Sequence, residues 1–340
     1  MTDFRLPASM ADLRVLLAGL PGPDDIALRA AVAREPLLTK PPGSLGRLEQ
    51  TAAWLACWQG LHPPAAERIA AVVFAGNHGV AAQGVSAFPA AVTAQMVANF
   101  QAGGAAINQL CRTFGVSLTV EALELDRPTA DFTQGPAMGE ADFLAAVVAG
   151  MRSVKDGLDA LCVGEMGIAN TTAASAVCLG LFGGTGLDWT GPGTGVAGAA
   201  LAHKARVVEA GVARNKPSMG DGLGVLRCVG GRELAAMAGA ILAARLKRIP
   251  VVLDGFVCTA AAAALEAMQP GALDHCVVGH VSAEPGHARL LEKLSKAPLL
   301  SLGMRLGEAS GAVLAVAVLK AACACHAGMA TFAEAGVSAG

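Results

Sequence analysis

Two glutamates stand beside apolar runs, where a carboxylate could take part in acid–base chemistry. Glu165 follows the apolar run 160–163, and an acid at the end of a buried segment costs free energy unless a ligand, an amide or a cation meets it. Glu308 precedes the apolar run 311–319. Such carboxylates can stabilise a positive charge or accept a proton. For Glu308, a plain helix N-terminal acid gaining about 0.3–1 kcal/mol from the helix dipole remains an alternative.

Two glycine-containing segments could bind phosphate. Gly191–Gly195, which includes Gly193, is followed nine residues later by Lys204. Gly167–Thr172, which includes Asn170 and Thr171, joins an apolar run to a stretch of small residues. Backbone amides at such a helix start bind anions. Tight turns and a solvated lysine are the simpler alternatives, and neither segment matches a Walker or a complete dinucleotide pattern, which weakens kinase and dehydrogenase functions.

Short apolar runs alternate with alanine-rich stretches long enough for helices, the pattern of repeated βα units. Six strands are predicted: Ile69–Phe74, Val116–Val120, Ala160–Val163, Pro250–Leu253, Cys276–Val278 and Leu299–Leu302. The fold class is therefore α/β, a doubly wound and mostly parallel sheet of about six strands flanked by helices. A small helical domain is expected from residues 1–65 and 321–340, and a Rossmann-like catalytic domain from 66–320.

Polar loops follow five of the six predicted strands. They are 75–79, 164–167, 254–256, 279–284 and 303–308. The carboxyl ends of parallel strands meet at one edge of a sheet, where ligands bind, so we expect one active site fed by all five loops. Simpler alternatives apply to single members, since His78 could be a satisfied turn histidine and Asp254 could cap the helix that follows it.

Composition favours a protein that acts on small molecules. The chain has 340 residues, a net charge of -2 and 15% charged residues, without the basic stripe of a nucleic-acid-binding protein. No uncharged apolar stretch reaches the roughly 18 residues of a membrane span. Nine cysteines, an odd number, fit reduced thiols, and the N-terminal residues lack an export signal, so a cytoplasmic location is expected. Cys323, Cys325 and His326 are spaced poorly for a shared metal.

Several motifs, in order over most of the chain, resemble one family, the nicotinate-nucleotide:dimethylbenzimidazole phosphoribosyltransferases. The matching segments are 40–49, 77–80 with 84–85 and 92–93, 164–167 with 170–172, 253–256, 282–284 and 304–308. The resemblance implies transfer of the ribose phosphate of nicotinate mononucleotide to 5,6-dimethylbenzimidazole, giving α-ribazole 5′-phosphate and nicotinate in assembly of the cobalamin nucleotide loop. It also implies a homodimer with a small domain built from both chain ends.

The resemblance assigns roles to individual residues. Glu308 occupies the general-base position and Glu165 that of a second carboxylate near the ribose. The nucleotide and its phosphate would be bound by Gly167, Asn170, Thr171, Gly193, Gly195, Lys204, Asp254, Ser282 and Gly307. The base would be held by Phe88, Met96, Ile168, Met304 and Leu306. Neither a metal nor a cofactor is expected, because a pyridinium leaving group departs without a Lewis acid.

Two alternatives remain open from the residues alone. The same transfer could serve another acceptor, such as an unsubstituted benzimidazole, a purine or a phenol. A non-enzymatic nucleotide-binding protein would keep the glycine loops but would have no reason to place Glu165 and Glu308 in one crevice. Nicotinate release that depends on the added base distinguishes these alternatives.

Overall fold

The structure, a computed structural model, describes residues 4–338. Its central sheet has six strands: Ile69–Ala75 (β1), Ser117–Ala122 (β2), Ala160–Met166 (β3), Val251–Leu253 (β4), Cys276–His280 (β5) and Pro298–Leu300 (β6). All neighbours pair in parallel, in the spatial order β2-β1-β3-β4-β5-β6. The predicted α/β fold with a parallel six-stranded sheet is confirmed. The strand order reverses between β1 and β3, the position where open α/β sheets form a ligand crevice.

Helices connect the strands and flank the sheet. They are Met10–Ala18 (α1), Asp25–Arg34 (α2), Arg47–Gln59 (α3), Ala91–Ala102 (α4), Ala106–Phe114 (α5), Glu140–Ser153 (α6), Asn170–Phe182 (α7), Gly186–Trp189 (α8), Ala199–Met219 (α9), Gly222–Val229 (α10), Arg232–Leu246 (α11), Phe256–Met268 (α12), Pro285–Lys293 (α13), Ser310–Gly328 (α14) and Phe332–Ala335 (α15). Short 3₁₀ turns occupy Glu35–Leu37 and Gly79–Gln83.

The central strands β1, β3, β4 and β5 are largely buried, and their side chains alternate between the two faces of the sheet. On β1, Ala70, Val72 and Phe74 belong to the core cluster packed by α6, α7, α11 and α12. Ile69 and Val73 point the other way, into a second cluster that includes residues of α5 and α14. Two helical layers therefore enclose the sheet, and the carboxyl ends of its strands are left as the edge available for a site.

Several strand boundaries differ from the predicted ones. β3 continues through Met166, so Glu165 lies on the strand itself and not in the loop after it. β5 includes His280, and β6 begins at Pro298 and ends at Leu300. In the sequence, glycine and charged residues predict a loop, but parallel pairing with β1 holds Gly164, Glu165 and Met166 in the ladder.

Both chain ends contribute helices to one side of the molecule. α2 packs against α3, and α3 packs against α14. Arg34 donates to the carbonyl oxygens of His326 and Met329, at 2.8 and 3.1 Å. α1 instead buries Leu13 and Leu17 in the main core cluster beside α12. We infer a small helical unit of α2, α3 and the end of α14, which crosses residue 321 as one continuous helix.

One helix among the described residues, α14, has the length and apolar composition of a membrane span. Its amino-terminal residues Ala312, Val313 and Val316 are fully buried in the second core cluster. The helix also contacts α3, α5 and β5. Within this fold α14 therefore packs as a core helix.

Candidate active site

The carboxyl ends of the strands surround a cavity of about 210 Å³. The sequence-predicted residues that line it are Glu165, Gly167, Ile168, Asn170, Thr171, Gly193, Ser282, Leu306, Gly307 and Phe88. The predicted residues outside its lining are Glu308, Lys204, Asp254, Gly195, Met96 and Met304. The loops after four of the strands thus converge on one site, whereas the expected fifth loop, 75–79, does not line it.

Glu165 is a buried carboxylate at the cavity wall. Its Oε2 accepts a hydrogen bond from the side-chain Nδ2 of Asn170, at the start of α7. Only 8% of Glu165 is exposed. Burial raises the pKa of its carboxyl well above the ordinary value, and the negative charges of Glu233, Asp254 and Glu308 raise it further. A positive charge brought close to Glu165 would lower this pKa again.

Glu308 is held beside Glu165 by the backbone. The Glu308 amide donates to the Glu165 carbonyl oxygen at 3.1 Å. Gly307, Glu308 and Ala309 have φ angles of 81°, 61° and 59°, a left-handed turn that costs free energy for residues other than glycine. A Cβ on Gly164 would lie 2.5 Å from the Ala309 Cα. Glycine at 164 is therefore what lets this strained turn pack against β3.

Asp254 explains why Glu308 is a stronger base than a helix N-terminal acid would be. Asp254 Oδ1 accepts from the amides of Gly311 and Ala312, at 2.7 and 3.0 Å. Asp254 thus caps α14, whereas the alternative from the sequence was a cap of α12, the helix that directly follows it. Because Asp254 takes the helix amides, Glu308 gains little from them. Burial, and after it the Asp254 charge, raises the pKa of Glu308 to about 7.

Lys204 supplies a buried cation behind the glycine-rich loop. Its ammonium donates to Thr171 Oγ1 at 2.8 Å and to the Gly191 carbonyl at 3.0 Å. Lys204 is 1% exposed, so the alternative of a solvated helix lysine is wrong. Burial lowers the pKa of its ammonium to about 8. The two predicted phosphate segments, on α7 and at Gly191–Gly195, therefore meet at one positive charge.

Both backbone polar groups of Gly193 are hydrogen-bonded to side chains. Its amide donates to Glu284 Oε1 at 2.9 Å, and its carbonyl accepts from Arg305 Nη1 at 2.7 Å. A phosphate at this amide would compete with the Glu284 carboxylate. Glu284 and Arg305 both line the cavity, yet the sequence-based assignment left them out. Their position in the loops after β5 and β6 was the available signal, but it did not distinguish them from their neighbours.

The opposite wall of the cavity is apolar. Phe88 and Leu306 are 52% and 54% exposed at its mouth, and Ile168 is buried in its floor. Phe256 and Val257, at the start of α12, also line the cavity and were not predicted. Their types resemble ordinary core residues of an apolar helix. Exposed apolar side chains at a cavity mouth suit a flat heterocyclic ring.

Ser282 reaches the cavity because the turn after β5 is anchored underneath. The Ser282 amide donates to His287 Nδ1 at 2.8 Å, and His287 Nε2 lies 3.0 Å from Thr259 Oγ1. Burial lowers the pKa of His287 to about 3, so its ring is neutral and accepts from Ser282. Met304, which is outside the lining, accepts from the Ala283 amide through its carbonyl at 2.8 Å.

Comparisons with known proteins agree with this geometry. A family model described as Phosphoribosyltransferase matches residues 20–337. A relative from Ruegeria pomeroyi, named nicotinate-nucleotide--dimethylbenzimidazole phosphoribosyltransferase, is 62% identical over 337 residues, covering 98% of this chain and 100% of the relative. A protein of the same name from Rhizobium meliloti is 59% identical over 327 residues and 96% of each chain.

A solved structure is also similar. The crystal structure of CobT from Thermus thermophilus superposes with a TM-score of 0.86 at 44% sequence identity, covering 93% of this chain and 100% of that one. Family match, full-length relatives and fold agree, and all extend across the segments that form the cavity. The chain therefore belongs to the family of phosphoribosyltransferases whose curated relatives are named nicotinate-nucleotide--dimethylbenzimidazole phosphoribosyltransferase.

Proposed function

We propose that this protein transfers the ribose phosphate of nicotinate mononucleotide to 5,6-dimethylbenzimidazole, giving α-ribazole 5′-phosphate and nicotinate for the nucleotide loop of cobalamin. The observation that carries the proposal is the Glu308–Glu165 backbone hydrogen bond. It holds a base with a pKa of about 7 directly behind Glu165 and Gly307 of the cavity lining, and Lys204 approaches the same lining at Thr171. The names of the full-length relatives support the choice of substrates.

Departure of nicotinate requires charge stabilisation and no acid. The glycosidic bond joins C1′ to a pyridinium nitrogen that already carries positive charge, so its electron pair leaves with a neutral ring. Positive charge then develops at C1′ and the ring oxygen, as in other glycosyl transfers. The pyridinium charge of the bound nucleotide, brought close to Glu165, favours the ionised form of Glu165, and the Glu165 carboxylate then stabilises the charge that develops at C1′.

Attack by the benzimidazole releases a proton. One ring nitrogen forms the new bond to C1′, which makes the ring cationic, and the N–H on the other nitrogen becomes acidic. Glu308 accepts this proton, and a pKa of about 7 matches the neutral conditions in which a general base works best. Phosphate binding by Lys204 and the Thr171 hydroxyl fixes the sugar while the bond changes.

Assembly and location complete the proposal. A homodimer is supported by the apolar side chains of Leu302, Leu306 and Phe88, which are 52–61% exposed in one chain. Light scattering showing only monomer at assay concentration would contradict it. A cytoplasmic location is supported by nine free thiols, eight of them buried, because such thiols persist in a reducing compartment.

Incubation of the purified protein with nicotinate mononucleotide, with and without 5,6-dimethylbenzimidazole, tests the function. We expect nicotinate to appear only with the base, in equal amount to the α-ribazole phosphate. Release without base would indicate hydrolysis, and no release would refute the proposal. Parallel reactions with adenine, a phenol and unsubstituted benzimidazole test which acceptor is used. A higher kcat/KM for one of them would identify that compound, and not dimethylbenzimidazole, as the preferred acceptor.

A further inference from the structure

A histidine and a glutamate are buried together beneath the floor of the cavity. His78 follows β1, and Glu233 lies in the first turn of α11. Their side chains are 1% and 0% exposed, and His78 Nε2 is hydrogen-bonded to Glu233 Oε1. The other polar atoms, His78 Nδ1 and Glu233 Oε2, have no hydrogen-bond partner within residues 4–338. An isolated buried pair of this kind contributes little net stability, so packing alone gives no reason for it.

Three glycines make room for the pair. A Cβ on Gly76 would lie 3.2 Å from Glu233 Cδ, and one on Gly231 would lie 2.7 Å from Glu233 Oε2. A Cβ on Gly167 would lie 3.1 Å from Glu233 Oε1 and 3.3 Å from His78 Nε2. Gly167 also lines the cavity. One glycine residue therefore separates the His78–Glu233 hydrogen bond from the substrate space.

The segment that carries His78 is bound to the strand that carries Glu165. The Gly76 amide donates to the Met166 carbonyl at 3.0 Å, joining the segment before His78 to the end of β3. The charged groups that face Glu165 are Glu233 from α11, Asp254 after β4 and Glu308 before α14. The pKa of Glu308 is raised by burial and by the Asp254 charge, so a change at Glu233 should act on Glu165 more than on Glu308.

We propose that His78 and Glu233 are positioning residues for the transfer reaction: the buried pair fixes the turn after β3, and its charges act on the Glu165 carboxyl from behind. This inference rests on the proposed function, since it assigns Glu165 a part in that reaction. The Glu233 carboxylate raises the pKa of Glu165, and the hydrogen bond from His78 to the same carboxylate offsets this effect. The two side chains therefore act on Glu165 in opposite directions.

The test is the pH dependence of kcat/KM for nicotinate mononucleotide in Glu233→Gln and His78→Gln. The acidic limb reports carboxyls that must lose a proton in the free enzyme. Glu233→Gln removes a negative charge, so its limb should move to lower pH by about one unit, the low end of the effect of a close charge. His78→Gln leaves the Glu233 charge less compensated, so its limb should move to higher pH.

Asp159→Asn is the matched control. Asp159 directly precedes β3 at the other end of the strand, is 5% exposed and pairs with Arg68 at 2.8 Å. Removing this buried charge should lower Tm and leave the pH profile in place. A purely structural role for His78 and Glu233 predicts the same result for them, so folded variants with an unmoved limb would overturn the inference. Limbs that move in the same direction would overturn it too.

The double variant His78→Gln/Glu233→Gln covers the case in which a single variant does not fold, because two amides can keep the hydrogen bond without charge. Its limb should move to lower pH, and an unmoved limb refutes the inference. Wild-type protein without base-dependent nicotinate release would refute the proposed function and this inference with it. Wild-type turnover with unmoved limbs in the variants would refute the inference alone.

Discussion

Glu308→Gln should remove turnover and stabilise the protein at the same time. The amide keeps the shape of the side chain but cannot accept the proton of the attacking imidazole. Loss of a positioned general base lowers kcat by about 10²–10⁴. Nucleotide binding should survive, because it depends on Lys204 and Thr171. A helix N-terminal acid would behave in the opposite way, with turnover kept and stability slightly reduced.

The gain in stability follows from the raised pKa. Each unit is equivalent to about 1.4 kcal/mol, so a rise from 4.5 to about 7 at Glu308 corresponds to about 3 kcal/mol. Because the folded state binds this proton more tightly than the unfolded chain, ionised Glu308 lowers stability progressively from about pH 4.5 to 7 and fully above 7. Relaxation of the protein and water around the ionised carboxylate reduces the effect, and we expect roughly 1–3 kcal/mol and a Tm increase on the order of a few degrees at pH 8.

Three measurements check this reasoning: turnover, calorimetric binding of each substrate, and melting curves at pH 4.5, 6, 7 and 8. The difference in Tm between Glu308→Gln and the wild type should grow over this range and level off above pH 7. Glu266→Gln is the control, because Glu266 accepts the amides of Gly271 and Leu273 and should lose stability while keeping activity. Near-normal turnover in folded Glu308→Gln, or a Tm difference independent of pH, would refute the assignment.

Three further variants test the rest of the site. Lys204→Ala should weaken nicotinate mononucleotide binding and leave free-base binding unchanged, and the exposed Lys216→Ala on the same helix is the control. The affinity of the wild type for the nucleotide should fall above about pH 8, as Lys204 loses its proton. Equal loss of binding for both ligands would contradict a phosphate-binding role for Lys204. Phe88→Ala should raise KM for the base roughly tenfold, through loss of about 1.4 kcal/mol of apolar contact; an unchanged KM would remove Phe88 from the base site. Gly164→Ala should lower Tm and reduce kcat on the order of 10²-fold by displacing the Ala309 turn, whereas Gly135→Ala, with nothing within 4 Å, should do neither.

Periodicity predicted the layered fold because a parallel sheet buried on both faces leaves a strong signal. The runs around Ile69–Ala75 and Val251–Leu253 are almost entirely apolar, and the predicted strands overlap the observed ones. Boundaries were less accurate where tertiary pairing overrode local chemistry. Gly164 and Glu165 are poor strand formers in isolation, yet pairing with Val73 and Phe74 of β1 holds them there.

The site was harder to predict because its members act through contacts distant in sequence. Asp254 was expected to bind nucleotide or to cap the next helix, and its actual partners lie 57 and 58 residues further on. Glu233 carries no local signal, since an acid in a first helical turn is ordinary. Its pairing with His78 spans 155 residues. Only the assembled sheet brings these groups together.

Because the cysteines are buried, the rate at which their thiols are alkylated reports how often the molecule opens. Burial raises the pKa of Cys57 and Cys111 to about 11 and of Cys276 to about 12, and thiolate is the form that reacts with alkylating reagents. Only Cys325 is partly exposed among the nine. Alkylation of the other eight must therefore wait for local or global opening. Their labelling rates, resolved by peptide mass, would map which layer of the sheet opens first and how tightly bound nucleotide holds it closed.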